Sequence, residues 1–381
     1  MLKALLILML GAFVSQTTEY LPIGLLPLIA KDLQVTPGQV GFLVTGYAWI
    51  ITITVLPMTL LTRRVDRRVL FLWLLAIITL CNGLALVTHH YWLLMILRIV
   101  AALGHGVFWS SIASYAIKIA PAMPASRVTA IVFAGISLAI VGGVPLSSAI
   151  GQAFGWQPGF ALFGLLGLLI FAAACFWLPS RQEGEPGSRR GVSSRPMTLY
   201  GAVGVTLLMI TAHFTCYTYI TALLQSPLKV NETAIPFHLL LFGLAGALGT
   251  LLAGTLSLRP SAMTALAGTG VAVSLFLMLT APPWTGYAWL VMAVWGSAIA
   301  LLIIGLQSWV IALAPDNAEF ASALYVMAFN IGIGGGAMAG GLMLERLGSA
   351  SLLYAGIGIA LAGLMVWAWT ARARRAVYAR G

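Results

Sequence analysis

The sequence predicts an all-α membrane protein with twelve transmembrane helices arranged as two six-helix halves. Three observations carry this. Hydrophobic residues make up 61% of the 381, and charged residues only 8%; a soluble domain carries roughly 25% charge, so too little polar surface remains to wet a globule of this size. Apolar runs recur at about the 20 residues that a helix needs to cross hydrocarbon. No interior run alternates apolar and polar residues with period two, which argues against a β-barrel. A soluble enzyme, a disordered chain and a secreted disulfide scaffold are excluded. The three cysteines, Cys81, Cys175 and Cys216, lie within apolar runs and have no CxxC spacing. Neither a disulfide framework nor a metal site is expected.

The spans fall near residues 4–30, 40–61, 69–87, 92–117, 128–153, 158–178, 198–225, 235–256, 261–281, 286–312, 320–344 and 350–371. The first follows Lys3 as a signal peptide would, but it runs on to Ala30 without a clear small-residue cleavage site, so it is read as the first helix. The net charge of +11 belongs to topology and not to a nucleic-acid face, because the basic residues sit in short loops. With a cytoplasmic N-terminus, the inner segments hold Lys3, Arg63, Arg64, Arg67, Arg68, Lys118, Arg127, Arg181, Arg189, Arg190, Arg195, Arg259, Arg372, Arg374, Arg375 and Arg380. The outer side holds only Lys31, Lys229 and Arg346. This bias places both termini in the cytoplasm. The stretch PSRQEGEPGSRRGVSSRP reads as a flexible cytoplasmic linker. It gives an N-terminal bundle at 1–178, a linker at 179–197 and a C-terminal bundle at 198–381. A weak repeat, TLLTRR at 59–64 and GTLSLR at 254–259, fits a transporter built from two halves.

Charge at bilayer depth costs at least ~2.5–3.5 kcal/mol per group, so ionisable residues inside spans are candidates for function. Glu19 and Arg98 are the charged ones, and His105 and His213 are also deep. At ~1.5 Å per residue, Glu19 lies roughly 18 Å from the outer side, Arg98 roughly 10 Å and His105 roughly 21 Å. Arg98, Ala102, His105 and Trp109 share one face of span four, and Ala12, Gln16 and Glu19 share one face of span one. A buried carboxylate is a natural proton carrier, which makes Glu19 the candidate. Arg98 has two readings, pinning of neighbouring helices through backbone carbonyls or contact with substrate. His105 and His213 are read as proton relays, as substrate contacts or as satisfied polar groups. They are expected to face one water-accessible space between the halves. Gln16, Trp109, Ser110, Tyr217, Tyr219, Gln307 and Asn330 complete the candidate substrate set, since aromatic faces suit sugar rings and amides suit hydroxyls. Glycines crowd span five (Gly135, Gly142, Gly143 and Gly151, with Pro145) and span eleven (Gly332, Gly334, Gly335, Gly336, Gly340 and Gly341). They imply close helix packing or a sliding contact.

Segments spread over nearly the whole chain, among them TTEYLPIGLLPLIAKDL (17–33), ILRIVAALGHGVFWSSIASYAIKIAP (96–121), GGVPLSSAIGQAFGW (142–156), ITAHFTCYTYI (210–220) and FNIGIGGGAMAGG (329–341), resemble the major facilitator superfamily. The drug:proton antiporter branch is the nearer likeness, and bacterial sugar efflux transporters the nearest. Arg98 with Gly104 resembles the span-four motif linked to proton coupling there, and Gly143, Pro145 and Gly151 resemble the span-five antiporter motif. The loop after span two keeps Leu61, Arg64, Arg67 and Arg68 of the family pattern. Thr59, Arg63 and Asp66 depart from it, and Asp66 is the candidate stand-in for the displaced aspartate. The resemblance implies proton-driven efflux of sugars or similar small polar molecules by alternating access across the bacterial inner membrane. A drug exporter of the same superfamily is the alternative. The expected partners are a small-molecule substrate, protons and the lipid bilayer, with no nucleic acid, and the chain is expected to act as a monomer. No metal-ligand cluster, phosphate-cradling loop or nucleophile triad is found, so neither a cofactor nor enzymatic activity is expected. The topology is testable: in Ser188→Cys, a membrane-impermeant thiol reagent should fail to label intact cells and should label inverted vesicles. Labelling in intact cells would reverse the orientation.

Overall fold

The computed structural model describes residues 2–62, 65–123, 125–179, 196–255, 258–280, 286–314 and 318–378. Among them the α-helices are α1 (Leu2–Asp32), α2 (Pro37–Thr62), α3 (Arg67–Leu84), α4 (Tyr91–Ile119), α5 (Ala125–Leu138), α6 (Val144–Phe154), α7 (Trp156–Trp177), α8 (Pro196–Tyr217), α9 (Ile220–Gln225), α10 (Ile235–Thr255), α11 (Pro260–Leu279), α12 (Tyr287–Ala312), α13 (Ala318–Leu347) and α14 (Ser349–Tyr378), and no strand occurs. Among the described residues, twelve helical stretches are long and apolar enough to cross a membrane. Hydrocarbon offers no partners to backbone N–H and C=O groups, so a chain of this composition must satisfy them within helices. The chain divides into two compact units, Met1–Gly187 and Ser188–Gly381. Most of the expected linker lies outside the described residues.

In the first unit α1 is buried along most of its length and packs against α2, α5, α6 and α7. Below the polar residues of α1 lies an apolar core in which Leu5, Leu8, Phe71, Leu74, Phe108 and Ile112 meet. At the other end, the Asp32 carboxylate accepts from Trp156 Nε1 at 2.7 Å and from Gln157 Nε2 at 3.0 Å. This ties the end of α1 to the start of α7. Gly155 makes the preceding turn at φ +92°, where a side chain would be strained. Asp66 caps α3, with Oδ1 accepting from the backbone N–H of Arg68 at 2.9 Å and of Val69 at 3.2 Å.

Two spans depart from a regular α-helix. Span five is α5 and α6 joined by a π-turn, Ala139–Gly143. Pro145 has no N–H to offer the carbonyl one turn back and its ring crowds that carbonyl; widening the turn just before it accommodates both effects. Span seven is α8 and α9, separated at Thr218 and Tyr219. That segment is rich in threonine and tyrosine, which are weak helix formers. The break lets the fully buried Tyr219 donate its hydroxyl to Ala337 O at 2.7 Å.

Glycines set the close approaches in each unit. A Cβ at Gly143 would collide with the Thr17 side chain of α1, and one at Gly151 with Leu25. In the second unit, a Cβ at Gly336 would meet Thr211 O at 2.6 Å, and one at Gly340 would meet Thr215 O at 2.5 Å, both on α8. The same device thus seats α5–α6 on α1 and α13 on α8. Gly143→Val should destabilise the protein by about 1–3 kcal/mol through overpacking, read as lowered thermal unfolding in detergent. Thr17→Ala should restore part of that loss in the double variant; purely additive effects would mean that the two side chains do not meet.

Candidate functional site

The polar centre of the first unit begins with Pro22. A proline inside a helix leaves the carbonyl four residues back without its N–H partner, and in α1 that carbonyl is Thr18 O. Arg98 of α4 fills the vacancy: Nη1 donates to Thr18 O, and Nη2 donates to Glu19 O at 2.8 Å. The guanidinium lies over the Tyr47 ring of α2, 4.1 Å from its centroid, where the ring's negative face attracts the cation. Asn82 of α3 donates to Thr18 Oγ1 at 2.8 Å. Of the two readings of Arg98, the structure supplies the backbone-carbonyl contacts. Arg98 touches the backbone of Glu19, and among the described residues no hydrogen bond joins it to the Glu19 carboxylate.

That carboxylate is served by others. Gln16 Nε2 donates to Glu19 Oε2 at 2.6 Å, as the three-residue spacing on α1 allows. His105 Nε2 lies 3.4 Å from the same oxygen. Trp109 Nε1 donates to His105 Nε2 at 2.8 Å, one turn along α4. On the other side of the ring, Ser15 Oγ and Tyr47 OH each lie 3.0 Å from His105 Nδ1. Glu19, Arg98 and His105 are only 4%, 2% and 3% exposed. The expected face of α4 therefore closes onto α1 and α2 inside the unit. Sequence reasoning found Gln16, Glu19, Arg98, His105 and Trp109 but missed Ser15, Tyr47 and Asn82. Tyr47 could have been flagged by its place well inside span two, away from the interfacial aromatic belt.

The second unit carries an aromatic group on α8, α10 and α12. His213 stacks on Tyr217 with centroids 5.0 Å apart, and Tyr217 stacks on Phe242 at 5.0 Å. Trp295 stands nearly perpendicular to all three rings, 5.4 Å from His213 and 5.5 Å from Phe242. Within this group His213 Nδ1 and Trp295 Nε1 are buried without a hydrogen-bond partner. Such groups are costly in a low-dielectric interior. His213 and Tyr217 were expected; Phe242 and Trp295 were missed, although Trp295 also lies mid-span.

The remaining expected residues are dispersed. Tyr219 is fully buried and donates its hydroxyl to Ala337 O. Asn330 of α13 donates to Val326 O at 3.0 Å, and Gln307 of α12 is half-buried. The Ser110 side chain and Arg64 lie outside the described residues. Arg67 is buried, and Arg68 donates to Cys175 O. Among the described residues no group of three or more His, Cys, Asp or Glu side chains could hold a metal ion.

The comparisons with known proteins bear on the family and the fold. The family model described as Major Facilitator Superfamily matches residues 8–337. A probable sugar efflux transporter of Pasteurella multocida (strain Pm70) is 35% identical over 367 residues, covering 94% of this chain and 89% of the relative. Among solved structures, a mutant of the nucleoside transporter NupG has a TM-score of 0.75 at 12% identity, covering 97% of this chain and 100% of that one. A bacterial homologue of the human lysosomal transporter Spinster, inward-facing and occupied, has a TM-score of 0.72 at 13% identity, covering 97% and 96%. At such identities the two structures bear on the fold alone. The family match over most of the chain, together with the full-length relative, makes this protein a multi-pass membrane transporter that belongs to the Major Facilitator Superfamily.

Proposed function

We propose that the protein exports sugars or similar small hydroxyl-rich molecules across the bacterial inner membrane, driven by proton entry and working by alternating access as a monomer. Both termini and the 179–197 linker face the cytoplasm in this reading, and the halves 1–178 and 198–381 act as its two moving parts. It is a carrier with no cofactor and no catalytic chemistry. One observation carries the coupling: a carboxylate and an imidazole, Glu19 and His105, stand 3.4 Å apart in a nearly water-free site. Such a pair can hold a proton between its two basic atoms, and a proton held there changes the charge of the site by a full unit. Arg98 fixes the backbone of Glu19, so it positions the carboxylate for that exchange. Among the loop residues, Asp66, Arg64, Arg67 and Arg68 are assigned to conformational change, as are Gly143, Pro145 and Gly151 of span five. The identity to a probable sugar efflux transporter supports the substrate class.

The aromatic group supports a substrate contact in the second unit, where His213 and Trp295 each offer a nitrogen for a hydroxyl and the ring faces suit the C–H side of a sugar. Gln16, His105, Trp109, Ser110, Tyr219, Gln307 and Asn330 remain in the proposed substrate set. The same rings also favour a second reading, a drug exporter for flat apolar molecules. A counterflow screen in proteoliposomes over sugars and drugs separates the two.

Glu19→Gln should abolish uphill export while leaving gradient-free exchange largely intact, because the amide mimics a protonated carboxyl. Full uphill export by this variant would remove Glu19 from the coupling step. Trp295→Phe keeps the ring and removes the N–H. It should weaken binding of the best compound from the screen about fivefold to tenfold, the value of one hydrogen bond, without altering coupling. Unchanged affinity would take Trp295 out of the substrate site.

A further inference from the structure

An indole N–H can only donate. Trp109 Nε1 donates to His105 Nε2 at 2.8 Å, so that nitrogen presents a lone pair and the neutral ring carries its proton on Nδ1. There the Ser15 and Tyr47 hydroxyl oxygens, both at 3.0 Å, can accept it. Glu19 Oε2 approaches the same Nε2, but 3.4 Å is longer than the ~2.7–2.9 Å of a charge-assisted N–H···O bond. Two acceptors facing each other have nothing to share until a proton comes between them. The arrangement is therefore the proton-free one: Trp109 takes the lone pair of Nε2, and Gln16 takes Glu19 Oε2.

We propose that a proton and the Trp109 indole N–H compete for His105 Nε2, so that proton entry ejects the indole and Trp109 converts protonation into a change of shape. A proton delivered from water bonds to Nε2, and the ring becomes an imidazolium. The new N–H donates to Glu19 Oε2, the pair shortens, and its two charges offset one another. Trp109 Nε1 is left facing a donor, and an unpaired N–H away from water is costly, so the indole turns to another acceptor. The ring is half-buried and packs edge-on against Phe108 at 5.3 Å and Phe133 at 5.6 Å. Phe133 lies on α5, which runs directly into the π-turn at Ala139–Gly143, so the turning indole pushes on the helix that is broken next to Pro145. The titratable and charged groups around the imidazole are Glu19 on α1, Tyr47 on α2 and Arg98 on α4. Cys81 on α3 lies further off in the cluster of Tyr47 and Ala102. Arg98 is committed to the two α1 carbonyls, which leaves Glu19 as the partner for the new charge.

The proposal rests on the reading of Glu19 and His105 as the proton site, and one experiment separates the two. The full-length protein, with tryptophan and histidine side chains labelled with nitrogen-15, is placed in lipid bilayers and followed by solid-state NMR from about pH 8 down to about pH 5. The Trp109 signal is assigned by its loss in Trp109→Phe and the His105 signals by their loss in His105→Gln. If either variant does not fold, magnetisation transfer across the 2.8 Å Nε1–Nε2 contact makes the assignment in the wild-type chain. The expected result is a neutral His105 with a bare Nε2 at high pH, and a Trp109 N–H signal that shifts in step with protonation of that nitrogen. A His105 that takes up a proton while the Trp109 signal stays fixed overturns the competition and leaves the proton site standing. A neutral ring with its proton on Nε2 also overturns it. A His105 that never protonates across this range overturns the proton site and the competition together.

Discussion

A permanent guanidinium held deep in a helix bundle needs acceptors that the bundle does not ordinarily have to spare, because helical carbonyls are already used. Pro22 supplies one by withholding its N–H from Thr18 O, and Arg98 occupies it together with the neighbouring Glu19 carbonyl. Much of the first unit follows from this contact. It holds α4 to α1 at the height of Glu19, it brings the Tyr47 face under the cation, and it leaves His105 about two helical turns further along α4 facing the Glu19 side chain. Because the two Nη groups of the arginine are spent on backbone carbonyls, the carboxylate beside it stays available for chemistry instead of being consumed in an ion pair. A carboxylate neutralised by arginine would hold a proton poorly.

The two units handle polarity inside the membrane differently. The first joins polar side chains across and along helices, Gln16 with Glu19, Trp109 with His105 and Asn82 with Thr18, with Arg98 Nε left unpartnered. The second leaves His213 Nδ1 and Trp295 Nε1 unpaired within a set of stacked rings. A hydrogen-bonded network suits an exchange of protons among fixed partners. Unpaired nitrogens among aromatic faces suit a visitor that brings its own hydroxyls.

The helical architecture was legible because hydropathy and length are what the bilayer demands, and the positions of Glu19, Arg98, His105 and His213 stood out as polar atoms where hydrocarbon tolerates few. The spacing of Gln16 and Glu19, and of His105 and Trp109, also read correctly as shared faces. The π-turn in span five and the gap in span seven were hidden, since neither interrupts the hydropathy of its span. Pro145 hinted at the first, and the cluster of threonine and tyrosine around Thr218 and Tyr219 at the second. Tyr47 and Trp295 were passed over because a mid-span aromatic looks like packing until its neighbours are known. Residue counting set Arg98 and Glu19 at separate depths and could not say which atoms meet. The clue to that was Pro22, four residues past Thr18.

The π-turn in span five has a consequence for how this chain can change over evolutionary time. A helix advances about 100° per residue, and a π-turn takes in one residue beyond the α-helical path. Everything after Gly143 is therefore out of phase with α5 by that amount, and Gly151 faces Leu25 only because of the offset. Loss of a single residue between Ala139 and Gly143 would straighten the segment and swing α6 round, presenting a bulkier side chain to α1 where only a glycine fits. A substitution at Gly142, where a side chain would meet open space, can be absorbed. A one-residue gap cannot, so the segment should keep its length in chains whose composition has drifted far from this one.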